Sequence, residues 1–149
     1  MIVLEDGANT VRIILADKAT LTSPMYVFLF VNDNTGEKYM VYNTYTTVET
    51  ELQQFTLTVQ ATPNWLIGQV ALGKLGFYHY YVYEYDDTNG NGDPGGLDYD
   101  TVIAADISTY VPTYFTSLVA EGKMEYQDST LPTINTYKNT VAAVKAYGD

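Results

Sequence analysis

Short runs of β-branched and aromatic residues recur along the chain, with turn-forming residues between them. This pattern is typical of an antiparallel β-sandwich rather than of alternating strands and helices. The cleanest case spans residues 54–60, where Phe55, Leu57 and Val59 alternate with polar residues, so this strand should have one buried and one solvated face. The patterns predict about seven strands, at residues 10–16, 25–31, 38–42, 54–60, 66–72, 75–85 and 119–126.

The predicted strand at residues 75–85 has no solvent face. Successive side chains of a strand point to opposite sides of the sheet. One side carries Phe77, His79, Tyr81, Tyr83 and Tyr85, and the other carries Tyr78, Tyr80, Val82 and Glu84. One face should pack on the core of the domain, and we expect the other to be covered by a second element or by another chain.

The character of the sequence changes after Asp128, where large apolar residues become few and alternation stops. We therefore predict a β-sandwich domain at residues 1–128 and a C-terminal arm at residues 129–149. Apolar residues of the arm at near-helical spacing are Tyr137, Val141, Val144 and Tyr147. This spacing favours a short helix on a partner surface, and the alternatives are an extended arm or a loose chain end.

Charge and composition narrow the classes of partner. The 149 residues carry a formal net charge of −11 and no cysteine, and no cation lies between Lys74 and Lys123. Nucleic acid and anionic membranes are therefore poor partners, while disulfides and thiolate chemistry are excluded. The N-terminus lacks a basic region followed by a long apolar core, and no apolar run reaches the roughly 20 residues that span a bilayer, so we expect a soluble chain without an export signal.

The loop at residues 87–98 resembles a calcium-binding loop. Its oxygen-bearing candidates for metal ligation are Asp87, Asn89, Asn91, Asp93 and Asp98, with a glycine at Gly92. The last ligand is Asp instead of the usual bidentate Glu, and the flanking elements are predicted to be strands. The alternative is a long polar hairpin loop rich in turn formers. No cofactor is required, and calcium is the one candidate.

Catalysis finds little support in the sequence. His79 is the only histidine, and without cysteine it supplies no familiar catalytic set, so we predict a packing or hydrogen-bonding role for it. The pairs Glu49 and Glu51, or Asp98 and Asp100, could act as acid and base on a sugar. Neighbouring carboxylates are common in an acidic protein, and we predict that the chain is not an enzyme.

The surplus of aromatic residues has two interpretations. Trp65 and the tyrosines could stack against glycans, or they could form core and subunit interface, since tyrosine buries a large area at low entropic cost. We favour the interface. The residues predicted to contact a partner are Tyr78, Tyr80, Tyr81 and Tyr83 of the aromatic strand and Tyr137, Val141 and Val144 of the arm.

Three segments carry a resemblance to a known group of proteins: SPMYVFLFVNDNTGEKYMV at residues 23–41, NWLIGQVALGKLGFYHYYVYE at residues 64–84, and VAEGKMEY at residues 119–126. They resemble small virion proteins of tailed bacteriophages, including those of crAss-like and marine relatives. The acidic loop and the arm depart from that pattern.

The resemblance implies an immunoglobulin-like β-sandwich located in the virion, as a capsid auxiliary or decoration protein or as a neck-ring subunit near the portal. It implies a homo-oligomeric or multi-copy assembly with other virion proteins (capsid, portal or neck subunits) as partners, and it implies no catalytic or cofactor residues. The alternative function is a carbohydrate-binding adhesion module on a virion or cell surface. A glycoside-cleaving enzyme is a third hypothesis.

Overall fold

The structure, a computed structural model, describes residues 1–15, 20–21, 25–43, 45–47, 52–85 and 96–129. Its strands are β1 (Ile2–Leu4), β2 (Gly7–Ile14), β3 (Met25–Asn32), β4 (Lys38–Asn43), β5 (Tyr45–Thr47), β6 (Leu52–Val59), β7 (Gln69–Val70), β8 (Gly76–Tyr85) and β9 (Ser117–Tyr126). Its helical elements are 3₁₀ turns at Trp65–Ile67 and Ile107–Thr109 and the short helices α1 (Tyr99–Ala104) and α2 (Tyr110–Thr113). Among these elements, no helix is long and apolar enough to cross a membrane.

The strands form two sheets that pack face to face. The larger sheet has the order β1-β9-β8-β3-β4, in which β1 runs parallel to β9 and the other neighbours are antiparallel. The smaller sheet has the order β2-β6-β5, and β7 adds a short parallel pairing to β6. The prediction of an all-β sandwich is confirmed.

The first hydrophobic core lies between the two sheets. Phe55 of β6 meets the ring of Phe28 edge-on at 4.9 Å and the ring of Tyr26 at 5.9 Å. Tyr78 and Val82 reach the same core from β8, and both are buried. The aromatic strand therefore packs one face on the opposite sheet, as its sequence predicts.

A second core covers the outer face of the larger sheet. The chain between β8 and β9 contributes residues 97–115, here called the cap, which pack on that face. Phe115 stacks on Tyr83 at 5.0 Å between ring centroids. The Met40 amide of β4 donates to the Tyr99 hydroxyl, and the Lys38 ammonium donates to the Ala105 carbonyl. The second face is thus covered, over part of its area, by a segment of the same chain.

The cap also corrects the sequence interpretation at its N-terminal side. The loop at residues 87–98 was predicted to lie between strands, whereas α1 begins at Tyr99 directly after it. The helical elements of the cap are only three to six residues long, too short to show an amphipathic period.

The predicted strand at residues 66–72 is wrong over most of its length. Asn64 accepts a hydrogen bond from the Leu66 amide through its side chain and starts a 3₁₀ turn, which ends at Gly68 with φ of 80°. A Cβ at position 68 would lie 2.9 Å from the Thr56 carbonyl oxygen, so glycine is required there on two grounds. Only Gln69–Val70 pairs as strand.

Candidate contact surface

The outer-face column of β8 passes from buried to exposed along the strand. Tyr83 lies beneath the cap and is 2% exposed, whereas Phe77 at the other end is 51% exposed. Between them, Tyr81 and His79 are half-buried, with their rings 4.5 Å apart. The cap therefore covers one end of the column and leaves the other end open.

Neighbouring strands extend this open area sideways. Residues paired in register on adjacent strands point to the same face. Val3 of β1 and Phe77 of β8 both pair with Glu125 of β9, so the three form a row across the sheet, and Leu118 of β9 pairs with Tyr83. Val3 and Leu118 are 43% and 41% exposed. We call Val3, Phe77, His79, Tyr81 and Leu118 the outer strip.

Charged side chains border the outer strip. His79 Nε2 lies 3.1 Å from a carboxylate oxygen of Glu121, and the Lys123 ammonium donates to Asp33 at 2.6 Å. Because β8 lies between β9 and β3 and Asp33 directly follows β3, the Lys123 side chain reaches across β8. Both ion pairs are solvent-accessible, so each is worth about 1 kcal/mol or less. The hydrogen-bonding role predicted for His79 is confirmed.

The predicted interface residues of β8 divide into two groups. Tyr78 is fully buried between the sheets and Tyr83 is buried beneath the cap, so the prediction that these two side chains face a partner is wrong. Tyr80 points toward the first core, where a Cβ on Gly122 would lie 2.9 Å from its ring. Tyr81 alone of the four belongs to the outer strip.

The strand period explains this division, since even-numbered positions of β8 must point to the opposite sheet. The predicted contact residues of the arm, Tyr137, Val141 and Val144, lie outside the described residues.

Most of the predicted calcium ligands, namely Asp87, Asn89, Asn91 and Asp93, also lie outside the described residues. Asp98 is described; it immediately precedes α1, and its carboxylate accepts a hydrogen bond from the Thr101 hydroxyl. Within the described ranges, no group of three or more acidic or histidine side chains is placed to hold a metal. The calcium site therefore stays a prediction.

Glu84 is a buried carboxylate whose importance the sequence interpretation missed. It is 0% exposed, and its oxygens accept hydrogen bonds from the Ser117 hydroxyl at 2.6 Å, the Leu21 amide at 2.9 Å, and the Thr20 hydroxyl and amide at 2.7 and 2.8 Å. Burial alone would raise the pKa of Glu84, but these hydrogen bonds outweigh it and hold the pKa below its ordinary value. An acidic residue inside an otherwise apolar strand was the available signal, because a buried charge must be paired or hydrogen-bonded.

Trp65 is half-buried and belongs to the second core, where its ring centroid lies 5.5 Å from that of Tyr99. This contact favours a packing role over a glycan-stacking platform.

A separate cavity of about 350 Å³ lies at one end of the sandwich. The Tyr126 hydroxyl at its wall donates to Asp6 at 2.5 Å, and this hydrogen bond raises the pKa of Tyr126 to about 12.

Comparison of the chain with protein-family models, with curated proteins and with solved structures finds no match.

Proposed function

We propose that this chain is a non-enzymatic structural subunit of a tailed bacteriophage particle, a capsid auxiliary or neck-ring component that contacts other virion proteins through the outer strip. The observation that carries the structural role is the aromatic column of β8, which the cap covers at Tyr83 and leaves exposed at Phe77. The assignment to a virion follows the sequence resemblance.

The composition of the outer strip supports a protein contact. Protein interfaces place aromatic residues at the centre and charged residues at the rim, where water remains. Phe77, His79 and Tyr81 form the aromatic centre, Glu121 and Glu125 of β9 lie beside it, and Lys123 reaches across β8 to Asp33. A glycan site would need one or two exposed rings beside converging polar groups, and Trp65 instead packs on Tyr99.

The strand order supports the immunoglobulin-like part of the proposal. In that fold, strands G, F, C and C′ form one sheet and strands B, E and D form the other. The larger sheet has the matching order β9, β8, β3 and β4 for G, F, C and C′. The smaller sheet has the order β2, β6 and β5 for B, E and D. The chain departs from antibody domains in two ways: it has no cysteine for an inter-sheet disulfide, and the cap occupies the F–G connection.

The test is incorporation into particles of the virus that encodes the chain. Mass spectrometry of purified particles should detect the chain in multiple copies per particle. The variant Phe77→Glu should reduce its copy number at least tenfold, because a charge in the outer strip opposes a desolvated contact. Ile67→Glu is the matched control, since Ile67 is 61% exposed and lies outside the strip. Absence of the chain from particles, or equal incorporation of both variants, would overturn the proposal.

A further inference from the structure

We propose that the arm beyond Ser129, residues 130–149, folds back and packs on the outer strip of its own chain. This inference concerns the free protein and does not rest on the proposed virion function. It follows from where the described chain ends, how long the remainder is, and how its sequence matches the strip.

The chain leaves the sandwich at the exposed end of the strip. Strand β9 ends at Tyr126, which pairs with Gly76 on one side and with Leu4 on the other. The Gln127 amide continues this pairing by donating to the Leu4 carbonyl at 3.0 Å. Phe77 and Val3 directly neighbour Gly76 and Leu4 in the chain, so the described chain leaves β9 beside the most exposed part of the strip.

The remaining chain is long enough to cover the strip in either conformation. Twenty residues follow Ser129. They span about 30 Å as a helix and roughly 65 Å when extended. Along β8, the distance from Phe77 to Tyr83 is about 20 Å, at roughly 3.3 Å per residue. A turn and a segment parallel to β8 both fit within the available length.

The apolar residues of the arm have the spacing of a single stripe. Tyr137, Val141 and Val144 are separated by four and three residues, which places them on one side of a helix. Such a stripe is the usual occupant of an apolar surface between polar borders. The outer strip offers that surface, because its exposed aromatic end is bordered on the β9 side by charged residues, Glu121, Lys123 and Glu125.

Charge complementarity sets the orientation of the arm. Lys138 and Lys145 each follow a residue of the apolar stripe, so in a helix both lie on the same flank of it, about 10 Å apart. Glu121 and Glu125 lie on the same flank of the aromatic column, about 13 Å apart along β9, and the ammonium of Lys123 between them is paired with Asp33 across β8. The arm carries these two lysines against one acid, Asp149, whereas the rest of the chain has five cations and seventeen acids. The field of the sandwich therefore attracts the part of the arm that carries the two lysines.

The chain's own strip is favoured over that of a second copy. A short tether gives the arm a millimolar effective concentration at its own strip. A second copy at micromolar concentration offers its strip at a concentration roughly a thousandfold lower, and each copy repels the other through its net negative charge.

The sequence supplies clean reporters for a test. His79 is the only histidine and belongs to the strip, Trp65 is the only tryptophan and lies under the cap, and there is no cysteine. When the chain is truncated after Ser129, the NMR shifts of the His79 ring should differ from those of the full chain. Binding of an apolar dye should rise severalfold. The emission spectrum of Trp65 should stay the same. Unchanged His79 shifts would overturn the proposal.

A spin label identifies the occupant directly. A nitroxide on Ala143→Cys, which lies off the apolar stripe, should broaden the His79 ring signals at least twofold, and reduction of the nitroxide should restore them. Adding Val141→Asp should abolish the broadening, whereas Asn139→Asp, on the opposite side of the same predicted helix, should preserve it. No broadening in the singly labelled chain would overturn the proposal.

Mixing separates the two sources of the arm. Isotope-enriched chains that carry no spin label are mixed with spin-labelled chains at natural isotope abundance, so that only the chains without the nitroxide are observed by NMR. We expect no broadening of His79 in this mixture, and broadening there would assign the strip to the arm of a second copy. Particle incorporation is measured independently, so a failed arm experiment leaves the proposed function standing.

Discussion

At the scale of single residues, Glu84 shows how a charge is accommodated in a buried strand. Its carboxylate accepts hydrogen bonds from Thr20, Leu21 and Ser117, which ties the chain before β3 and the start of β9 to β8. Hydrogen bonds to a charged group are stronger than those between neutral groups, and leaving their partners unpaired is costly. Glu84 therefore joins three segments that are distant in sequence.

We predict that Glu84→Gln lowers the free energy of unfolding at neutral pH by about 2–3 kcal/mol. The pKa of Glu84 is lower in the folded chain than in the unfolded chain, so its stabilisation is fully present above the unfolded pKa and is lost as the pH falls through the folded pKa. The difference between variant and wild type should therefore shrink as the pH falls below the ordinary glutamate pKa and through the lowered pKa of the folded chain.

Urea unfolding at a series of pH values measures this difference. Glu37→Gln is the control, because Glu37 is exposed and its loss should change stability by less than about 0.5 kcal/mol. A difference for Glu84→Gln that is independent of pH would show that the carboxylate contributes through its shape alone.

Tyr110 and Tyr78 form a second comparison at this scale. Both are 0% exposed, but the Tyr78 hydroxyl donates to the Lys74 carbonyl at 2.6 Å, whereas the Tyr110 hydroxyl has no hydrogen-bond partner in the described part of the chain. Burial raises the pKa of Tyr110 to about 12. We predict that Tyr110→Phe leaves stability unchanged or raises it by up to about 1 kcal/mol, and that Tyr78→Phe lowers it by about 1 kcal/mol. Thermal unfolding of both variants decides this, and equal losses would contradict it.

At the scale of elements, the strands were largely predictable and the cap was not. The sequence predicts β6 through its alternation of apolar and polar residues and β8 through its aromatic content, since each strand needs partners on defined faces. The cap consists of turns whose apolar residues, including Val102 and Phe115, become a unit only when they pack on the sheet. Because both faces of β8 are apolar, the sequence indicated that some element must cover the outer face. It did not indicate which segment of the chain does so.

The candidate contact surface was predictable to a similar degree. The sequence indicated that one face of β8 needs a partner, and the alternation rule separates Tyr81 from Tyr78. Which part of that face stays open depends on where the cap ends, and hence on long-range packing. A bulge in β9 opposite Val82 and Tyr83 places Leu118 beside Tyr83. The local sequence pattern did not predict this bulge.

We predict that Phe115→Ala destabilises the chain by about 3–5 kcal/mol, because Phe115 fills the space between Tyr83 and Tyr110. Val111→Ala is the control within the cap: Val111 is 38% exposed and its truncation should cost under about 1 kcal/mol. Denaturant unfolding followed by Trp65 emission, which reports contact with the cap residue Tyr99, measures both variants. Equal effects would show that the cap does not pack through Phe115.

At the scale of the whole molecule, the net charge of −11 opposes compaction as well as association. Added salt should therefore raise the melting temperature by screening this repulsion, with a gradual dependence on ionic strength. Cations without a dedicated site act in this way only. A cation with a site at the loop spanning residues 87–98 adds stabilisation that depends on its own concentration.

These two effects can be separated at fixed ionic strength. If the loop binds calcium with a dissociation constant near 100 μM, 1 mM calcium should stabilise the chain by about 1.4 kcal/mol and raise the melting temperature by about 3 °C. Magnesium should do less, because it demands a tighter octahedral site. Asp93→Asn should abolish the calcium-specific shift, whereas Asp106→Asn, outside the loop, should retain it. A melting temperature that follows ionic strength alone, whatever the cation, would leave the loop as a polar connection without a metal.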